Sequence, residues 1–252
     1  MVRISKTHLL LIPSFNSGPI VIDVVKQALA IWQPIWVIID CSDDGSEIAL
    51  QDLAETEPYL TVLMHEINKG KGSAVYTGTK KALESGFTHM LTMDADGQHP
   101  IAEIKDFMAL SIRHPKAMVL GIPIFDEYAP ANRVQGRKIS NFWVNLETLW
   151  AGIGDSLFGF RVYPLRPLQA VMDTTIFARR FDFDPEVVVR LAWHGVAIIN
   201  KSVPVRYLSP EQGGISHFNY VRDNILLTWM HIRLFIGFLF RLPRLISQRL
   251  QS

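Results

Sequence analysis

The feature that most constrains this chain is an alternation of short, continuous apolar runs with helix-spaced segments. Leu9-Leu10-Leu11-Ile12, Trp36-Val37-Ile38-Ile39, Leu60-Thr61-Val62-Leu63-Met64, Met90-Leu91-Thr92-Met93 and Ala117-Met118-Val119-Leu120 read as strands. Between them, residues 19–30, 49–55, 73–85 and 101–113 carry helical patterns. Strands that lack polar alternation are buried on both faces, and repeated βα units lay such strands side by side in parallel. The expected fold class is α/β: a Rossmann-like, mostly parallel sheet with helices on both faces. At 252 residues the chain suffices for one large domain of this kind or two small ones.

Composition narrows the function classes. The chain is 48% hydrophobic and 19% charged, which predicts a sizeable core rather than disorder. A formal net charge of +1 argues against a nucleic-acid binder driven by bulk charge. The single cysteine, Cys41, excludes an intrachain disulfide and fits a reducing compartment. No secretory leader is expected, because the apolar run after Arg3 and Lys6 is short and ends at Pro13. Nor does any run reach the roughly 18 consecutive apolar residues of a spanning helix.

The polar segment 125–136, with Pro130, Asn132, Arg133 and Gln135, reads as a mobile loop. Residues 141–150 read as a helix whose Phe142, Trp143, Leu146 and Trp150 serve packing. Residues 224–240 are nearly all apolar, interrupted by His231 and Arg233. Arg241, Arg244 and Arg249 then alternate with Leu242, Leu245, Ile246 and Leu250. This tail predicts an amphipathic helix at a membrane interface, apolar on one side and arginine-rich on the other. The alternative is a helix docked on the domain or on a second copy of the chain, a homo-oligomer. The expected division is a domain over 1–218 and a tail over 219–252.

In open parallel sheets, ligands bind outside the carboxyl ends of the strands. Three predicted strands end in polar residues there: Pro13-Ser14-Phe15-Asn16, Asp40-Cys41-Ser42-Asp43-Asp44-Gly45-Ser46 and Asp94-Ala95-Asp96-Gly97-Gln98-His99-Pro100. Residues i and i+2 of a strand point to one side, so Asp94 and Asp96 can aim at one point. Two carboxylates that close repel unless a cation lies between them. With Gln98 they form an oxygen-only set suited to Mg²⁺ or Mn²⁺ carried on a phosphate. An aspartate in this row can accept from a base N–H or ribose hydroxyl, and Phe15 can stack on a base. Asp43 and Asp44 read equally well as caps of the following helix. Asn68-Lys69-Gly70-Lys71-Gly72-Ser73 precedes a helix, where glycines admit close backbone approach and the helix start favours anions. It is no P-loop, and no G-x-G-x-x-G follows the first strand. What remains is a nucleoside diphosphate held by carboxylates, a metal and one basic loop.

With these motifs assembled in order over residues 9–218, the chain resembles the family 2 glycosyltransferases of the GT-A fold, most of all the dolichol- or polyprenyl-phosphate sugar synthases. The resemblance implies that Pro13 and Phe15 pack on the nucleotide and that Asp40 binds the base. A register using Asp43-Asp44-Gly45-Ser46, and hence Asp44, is also open. It implies nucleotide contacts from Lys71, Asp94, Ala95 and Asp96, and a metal on Asp94, Asp96 and Gln98. Gly159-Phe160-Arg161 resembles the family's strand beside the acceptor, and Gly214-Ile215-Ser216-His217 its closing motif, which puts Arg161 and His217 on the acceptor side. Phe183-Asp184-Pro185-Glu186 resembles its Phe-x-x-Glu helix start. Glu186 is then the first candidate for a general base and Asp184 the second, with Asp184 also readable as a cap before Pro185.

Cations that the resemblance implies after Gly121, after Val203-Pro204-Val205 and in the last motif are absent; Pro123, Pro210 or a neighbour, and His217 stand there. Arg137, Arg206 and Arg222 are the candidate substitutes. The implied function is inverting transfer of a sugar from a nucleotide diphosphate sugar to a lipid-linked acceptor, a polyprenyl phosphate or a glycolipid hydroxyl, at the cytoplasmic face of the membrane. The competing readings are a catalytically silent binding subunit and a sugar-phosphate nucleotidyltransferase. The latter would want a glycine- and arginine-rich loop after the first strand, and residues 14–18 supply none.

Overall fold

The computed structural model describes residues 3–125, 131–205 and 219–250. In chain order the strands are β1 (Arg3–Ile4), β2 (His8–Ser14), β3 (Trp32–Gln33), β4 (Ile35–Ile39), β5 (Leu60–Met64), β6 (His89–Thr92), β7 (Ala117–Phe125), β8 (Arg161–Pro164) and β9 (Ala197–Val205). The helices are α1 (Ile20–Leu29), α2 (Ser46–Thr56), α3 (Lys71–Glu84), α4 (Ile104–Arg113), α5 (Ala131–Glu147), α6 (Leu165–Asp173), α7 (Phe183–Trp193) and α8 (Tyr220–Leu250). A two-stranded sheet pairs β1 with β3, and the main sheet has seven strands in the order β5-β4-β2-β6-β8-β7-β9. All its pairings are parallel except those of β8, which runs antiparallel to both β6 and β7.

Strand alternation divides the core in two. Leu9 and Leu11 of β2, with Trp36 and Ile38 of β4, face a layer containing α3, α6 and α7. Leu10 and Ile12, with Val37 and Ile39, face the layer of α1, α2 and α4. Both faces are covered, which is why the strands could be read as unbroken apolar runs. The mostly parallel α/β sheet expected from the sequence is the sheet observed.

Three expectations about the elements need correction. β7 runs on to Phe125 because β9 pairs with it along its whole length, to Phe125↔Val205. The helix expected over 141–150 begins ten residues earlier, at Ala131, so the end of the expected loop is helical. Gly136, Arg137 and Ser140 of this polar first half line a cleft, so the half lacks the apolar stripe that betrays a helix. The tail is one helix of 31 residues that continues through Pro243, and by its length and an 18-residue stretch of mean hydropathy 1.6 it is long and apolar enough to cross a membrane. The expectation that no run reaches the length of a spanning helix counted only uninterrupted apolar residues.

The faces of α8 also differ from expectation. Met230, Leu234, Phe238 and Leu245 are buried against the domain. Arg233 is on that inner side and reaches Glu186, while Arg241 and Arg249, though exposed, still touch the domain: Arg241 lies over the Trp193 ring and Arg249 donates to the Leu149 and Trp150 carbonyls. The outer stripe of Val221, Ile225, Trp229, Ile232, Ile236, Leu239 and Phe240 is exposed.

Candidate active site

A cleft of about 950 Å³ opens along the carboxyl edge of the main sheet. Pro13, Phe15, Asp40, Asn68, Lys71, Asp94, Ala95, Asp96, Gln98, His99 and Asp184 are among its lining residues. Parallel strands deliver Pro13, Asp40 and Asp94 to this edge, because each lies at or just beyond the end of β2, β4 or β6.

Asp40 is 3% exposed and holds a loop. Its carboxylate accepts from His65 Nδ1 (2.7 Å) and from the backbone N–H groups of Lys69 (2.9 Å) and Gly70 (2.6 Å). The far ring nitrogen of His65 bonds Thr77 Oγ1 at 2.9 Å, which fixes the imidazole. Three bonds on one buried carboxylate make the 68–70 turn stiff.

Lys71 opens α3 and turns into the cleft. Its ammonium lies 2.7 Å from Asp94 Oδ1 and 2.7 Å from Asp184 Oδ2. Burial alone would lower its pKa, but the two carboxylates raise it well above the ordinary value. Reciprocally, burial would raise Asp94, yet Lys71 foremost, with His99 and Arg161, brings it down to about 2. Gly159 makes room for this pair: a Cβ there would lie 2.5 Å from Lys71 Nζ and 3.0 Å from both Asp94 oxygens. His99 sits beneath, edge-on to Phe158 and Phe160. Its Nδ1 accepts the Asp94 N–H (3.0 Å), which puts the imidazole proton on Nε2, 3.5 Å from Asp94 Oδ2. Burial holds the ring's pKa below its usual value, against the pull of the two aspartates.

Asp96 is in a different state. Among the described residues its hydrogen bond is from the Gln98 N–H (3.0 Å), and burial, with the Asp94 charge beside it, pushes its carboxyl up. Among the described residues no group of three or more His, Cys, Asp and Glu side chains is clustered to hold a metal ion. Mg²⁺ commonly takes one or two protein carboxylates and draws its other ligands from phosphate and water. Asp96, next to Asp94 and without a bonded cation among the described residues, fits that kind of site.

A sequence profile gives the family, and solved structures give the fold. The profile of Glycosyl transferase family 2 matches residues 10–174. This chain belongs to that family. It is 27% identical over 196 residues to a UDP-N-acetylglucosamine–dolichyl-phosphate N-acetylglucosaminyltransferase of Methanococcus voltae, covering 71% of this chain and 78% of the relative. It is 24% identical over 253 residues to an undecaprenyl-phosphate mannosyltransferase of Micrococcus luteus, covering 91% and 98%. The fold is similar to that of glucosyl-3-phosphoglycerate synthase from Mycobacterium tuberculosis, solved with Mn²⁺, uridine diphosphate and glucosyl-3-phosphoglycerate. The TM-score is 0.61 at 15% identity, over 93% of this chain and 79% of that one. The sheet and its covering helices are thus a GT-A fold, and the protein is a family 2 glycosyltransferase.

Within this family member the structure brings together Pro13, Phe15, Asp40, Lys71, Asp94, Ala95, Asp96, Gln98 and Asp184 in one cleft. Three expected residues stand elsewhere. Asp44 is exposed and closes a loop, accepting from the Gly18 N–H (2.7 Å), the Ser46 N–H and the Ser46 hydroxyl. Arg161 is fully buried behind the cleft, because β8 is an inner strand; its guanidinium donates to the Asp184 carbonyl (2.6 Å) and the Asp155 carbonyl (3.3 Å). Glu186 is fully buried and does not line the cleft. Arg190 Nε (2.8 Å) and Arg233 (3.0 and 3.2 Å) occupy its two oxygens. Two residues apart on a helix is about 200° of rotation, so Asp184 and Glu186 face opposite ways. His217 and Arg206 lie outside the described residues.

The glycine-rich helix start is not an open anion cradle. A Cβ on Gly72 would strike the Ala178 carbonyl, and one on Gly70 would lie 2.5 Å from the Arg179 carbonyl oxygen, which itself accepts the Ser73 N–H (3.1 Å). These glycines admit the chain's own segment 178–180. Asp182 shapes that segment, accepting from the Ala178 and Arg180 N–H groups (both 3.0 Å). His65, His99, Asp155 and Asp182 were not singled out from the sequence. His99 was signalled by its place in the Asp94–Pro100 motif, and Asp182 by the alternation Asp182-Phe183-Asp184; His65 and Asp155 carried no local signal.

Proposed function

We propose that this glycosyltransferase moves a sugar from a nucleoside diphosphate sugar to a polyprenyl phosphate, with inversion at the anomeric carbon. The observation that carries the acceptor class is the state of the carboxylates. A hydroxyl acceptor needs a base. Asp184 is bonded to Lys71, Glu186 is locked between two arginines, and Asp94 is paired with Lys71. An ionised phosphate oxygen needs none: it forms the new bond to the anomeric carbon while the old C–O bond breaks and its electron pair leaves with the nucleoside diphosphate. The dolichyl- and undecaprenyl-phosphate transferases among the relatives support the same acceptor.

In this reading Phe15 and the turn held by Asp40 receive the nucleoside. Asp96, with Asp94 and Gln98, would hold Mg²⁺ or Mn²⁺, which when bound would supply positive charge to the departing diphosphate. Lys71 keeps Asp94 ionised and aimed, and Asp184 positions Lys71. The outer stripe of α8 lies on the bilayer where the lipid resides. Calorimetry with nucleoside diphosphates, with and without Mn²⁺, tests the donor half. Asp96→Ala is expected to abolish the metal-dependent part of binding, and an unchanged Mn²⁺ dependence would sink the assignment.

A further inference from the structure

In the transferase reading the nucleoside lies at the β4–β2 end of the cleft, among Phe15, Asp40 and Asn68. Asp40 has little bonding capacity left for a base. A carboxylate has about four lone-pair sites. Three are taken within the fold: Oδ1 accepts from His65 Nδ1 and the Lys69 N–H, and Oδ2 accepts from the Gly70 N–H. At 3% exposure this side chain pins the turn. Selection among bases then falls to the groups that stand on that turn.

Arg180 stands there. Segment 178–180 packs so closely on Gly70 that a Cβ at that glycine would lie 2.6 Å from Arg180 Cγ and 3.1 Å from its Cα. The arginine stem therefore starts from the same residue whose N–H Asp40 holds. The side chain runs on to Asn68, whose Oδ1 accepts from Nη1 at 3.1 Å. Asn68 Nδ2 in turn reaches the Asp40 carbonyl at 3.4 Å. One corner of the guanidinium is thus fixed beside the turn, and the side chain is exposed where it lines the cleft. A guanidinium has five N–H donors. Among the described residues, no carboxylate pairs with Arg180, and its Nε and Nη2 bond nothing. Lys71, by contrast, is held by Asp94 and Asp184 in the middle of the cleft. Arg179 is engaged elsewhere, on the Met172 and Thr175 carbonyls and over the Tyr76 ring.

We propose that Arg180, braced by Asn68, selects the base of the donor and favours one with a carbonyl on its ring, uracil or guanine over cytosine or adenine. The assignment rests on the transferase reading above and deepens it by naming the residue that discriminates among donors. A guanidinium offers donors only. Uracil O4 and guanine O6 accept, and guanine N7 beside O6 suits the fork. Cytosine and adenine carry an NH₂ group in place of that oxygen, so donor would face donor. Because Asn68 fixes one corner of the guanidinium, the remaining edge cannot turn freely to suit the wrong base.

Calorimetry with UDP, GDP, CDP and ADP in the presence of Mn²⁺ reads the selection in the native chain, R180Q and R180K. Expected is that UDP or GDP binds the native chain roughly tenfold or more tighter than CDP and ADP. In R180Q that preference is expected to shrink to about twofold or less, with CDP and ADP affinities little changed, while R180K keeps part of it. Each preference is a ratio within one protein, so a variant that is partly unfolded still reports it. An equal loss for all four nucleotides in R180Q would put Arg180 on the diphosphate, and a preference that survives R180Q would give the base to other residues. Either result overturns the proposal, as does a native chain that binds all four alike or prefers CDP or ADP. Failure of the transferase reading looks different: the native chain would bind none of the four, and the assignment of Arg180 would fall with it.

Discussion

Glu186→Gln separates a catalytic carboxylate from a structural one at the place where sequence and structure diverge most. Glu186 is fully buried, with Arg190 on one oxygen and Arg233 on both. Breaking a buried ion pair by removing one charge costs about 3–5 kcal/mol. Glutamine still accepts from one guanidinium while turning its NH₂ toward another, so the lower end, about 3 kcal/mol, is the expected loss. For a chain of this size 1 kcal/mol shifts Tm by about 2–4 °C, which puts the drop at about 6–12 °C. Arg233 also stacks on Phe177, 3.5 Å from its ring centre, so the segment that packs on Gly70 and Gly72 loosens with it. Thermal melts followed by circular dichroism, alongside steady-state transfer well below the melting range, give both numbers. Expected are the Tm drop and a kcat within about tenfold of native. A Tm within about 2 °C of native with kcat down more than about a hundredfold would refute the reasoning and restore Glu186 as a proton acceptor.

Two further outcomes follow from other parts of the molecule. Replacing Ile225, Trp229 and Phe240 of the outer α8 stripe together by serine is expected to stop the protein co-sedimenting with anionic liposomes while leaving its Tm close to native; sedimentation as before would show that this face is not the contact. At the opposite edge of the sheet, burial lowers the His89 pKa from 6.5, and the ring is stacked on His8 at 4.4 Å. A histidine with a lowered folded pKa takes up its proton more readily when unfolded, so its contribution is intact above pH 6.5 and is lost as pH falls from there through the folded value. His89→Gln is therefore expected to flatten the Tm-versus-pH profile between about pH 7 and 5, by at most about 1.4 kcal/mol per pH unit; an unaltered slope would contradict the burial argument.

How far the sequence reaches depends on whether a residue's role is set locally. The strands were legible because both faces of the sheet are covered, so Leu9 to Ile12 needs no polar break, and the motifs at their ends fell where a parallel sheet must put them. Asp94, Asp96 and Asp40 were found for that reason. The rest was fixed by partners distant in the chain. Nothing near Gly70 or Gly72 announces that segment 178–180 fills the space they leave, and nothing near Glu186 announces Arg233 on another helix. The α5 start was missed because its polar face is a cleft wall, and the docked face of α8 was missed because amphipathicity alone gives a helix two faces without saying which is docked. The same physics sorts the charges functionally. Lys71, Asp184, Glu186 and Arg161 look available in the sequence, yet each is bonded by a partner that the fold supplies. Among the described residues, Asp96 lines the cleft with no cation bonded to it. The proposed binding of a metal-carried nucleoside diphosphate calls for an anion left unspent by the fold, and Asp96 stands beside Asp94 in that groove.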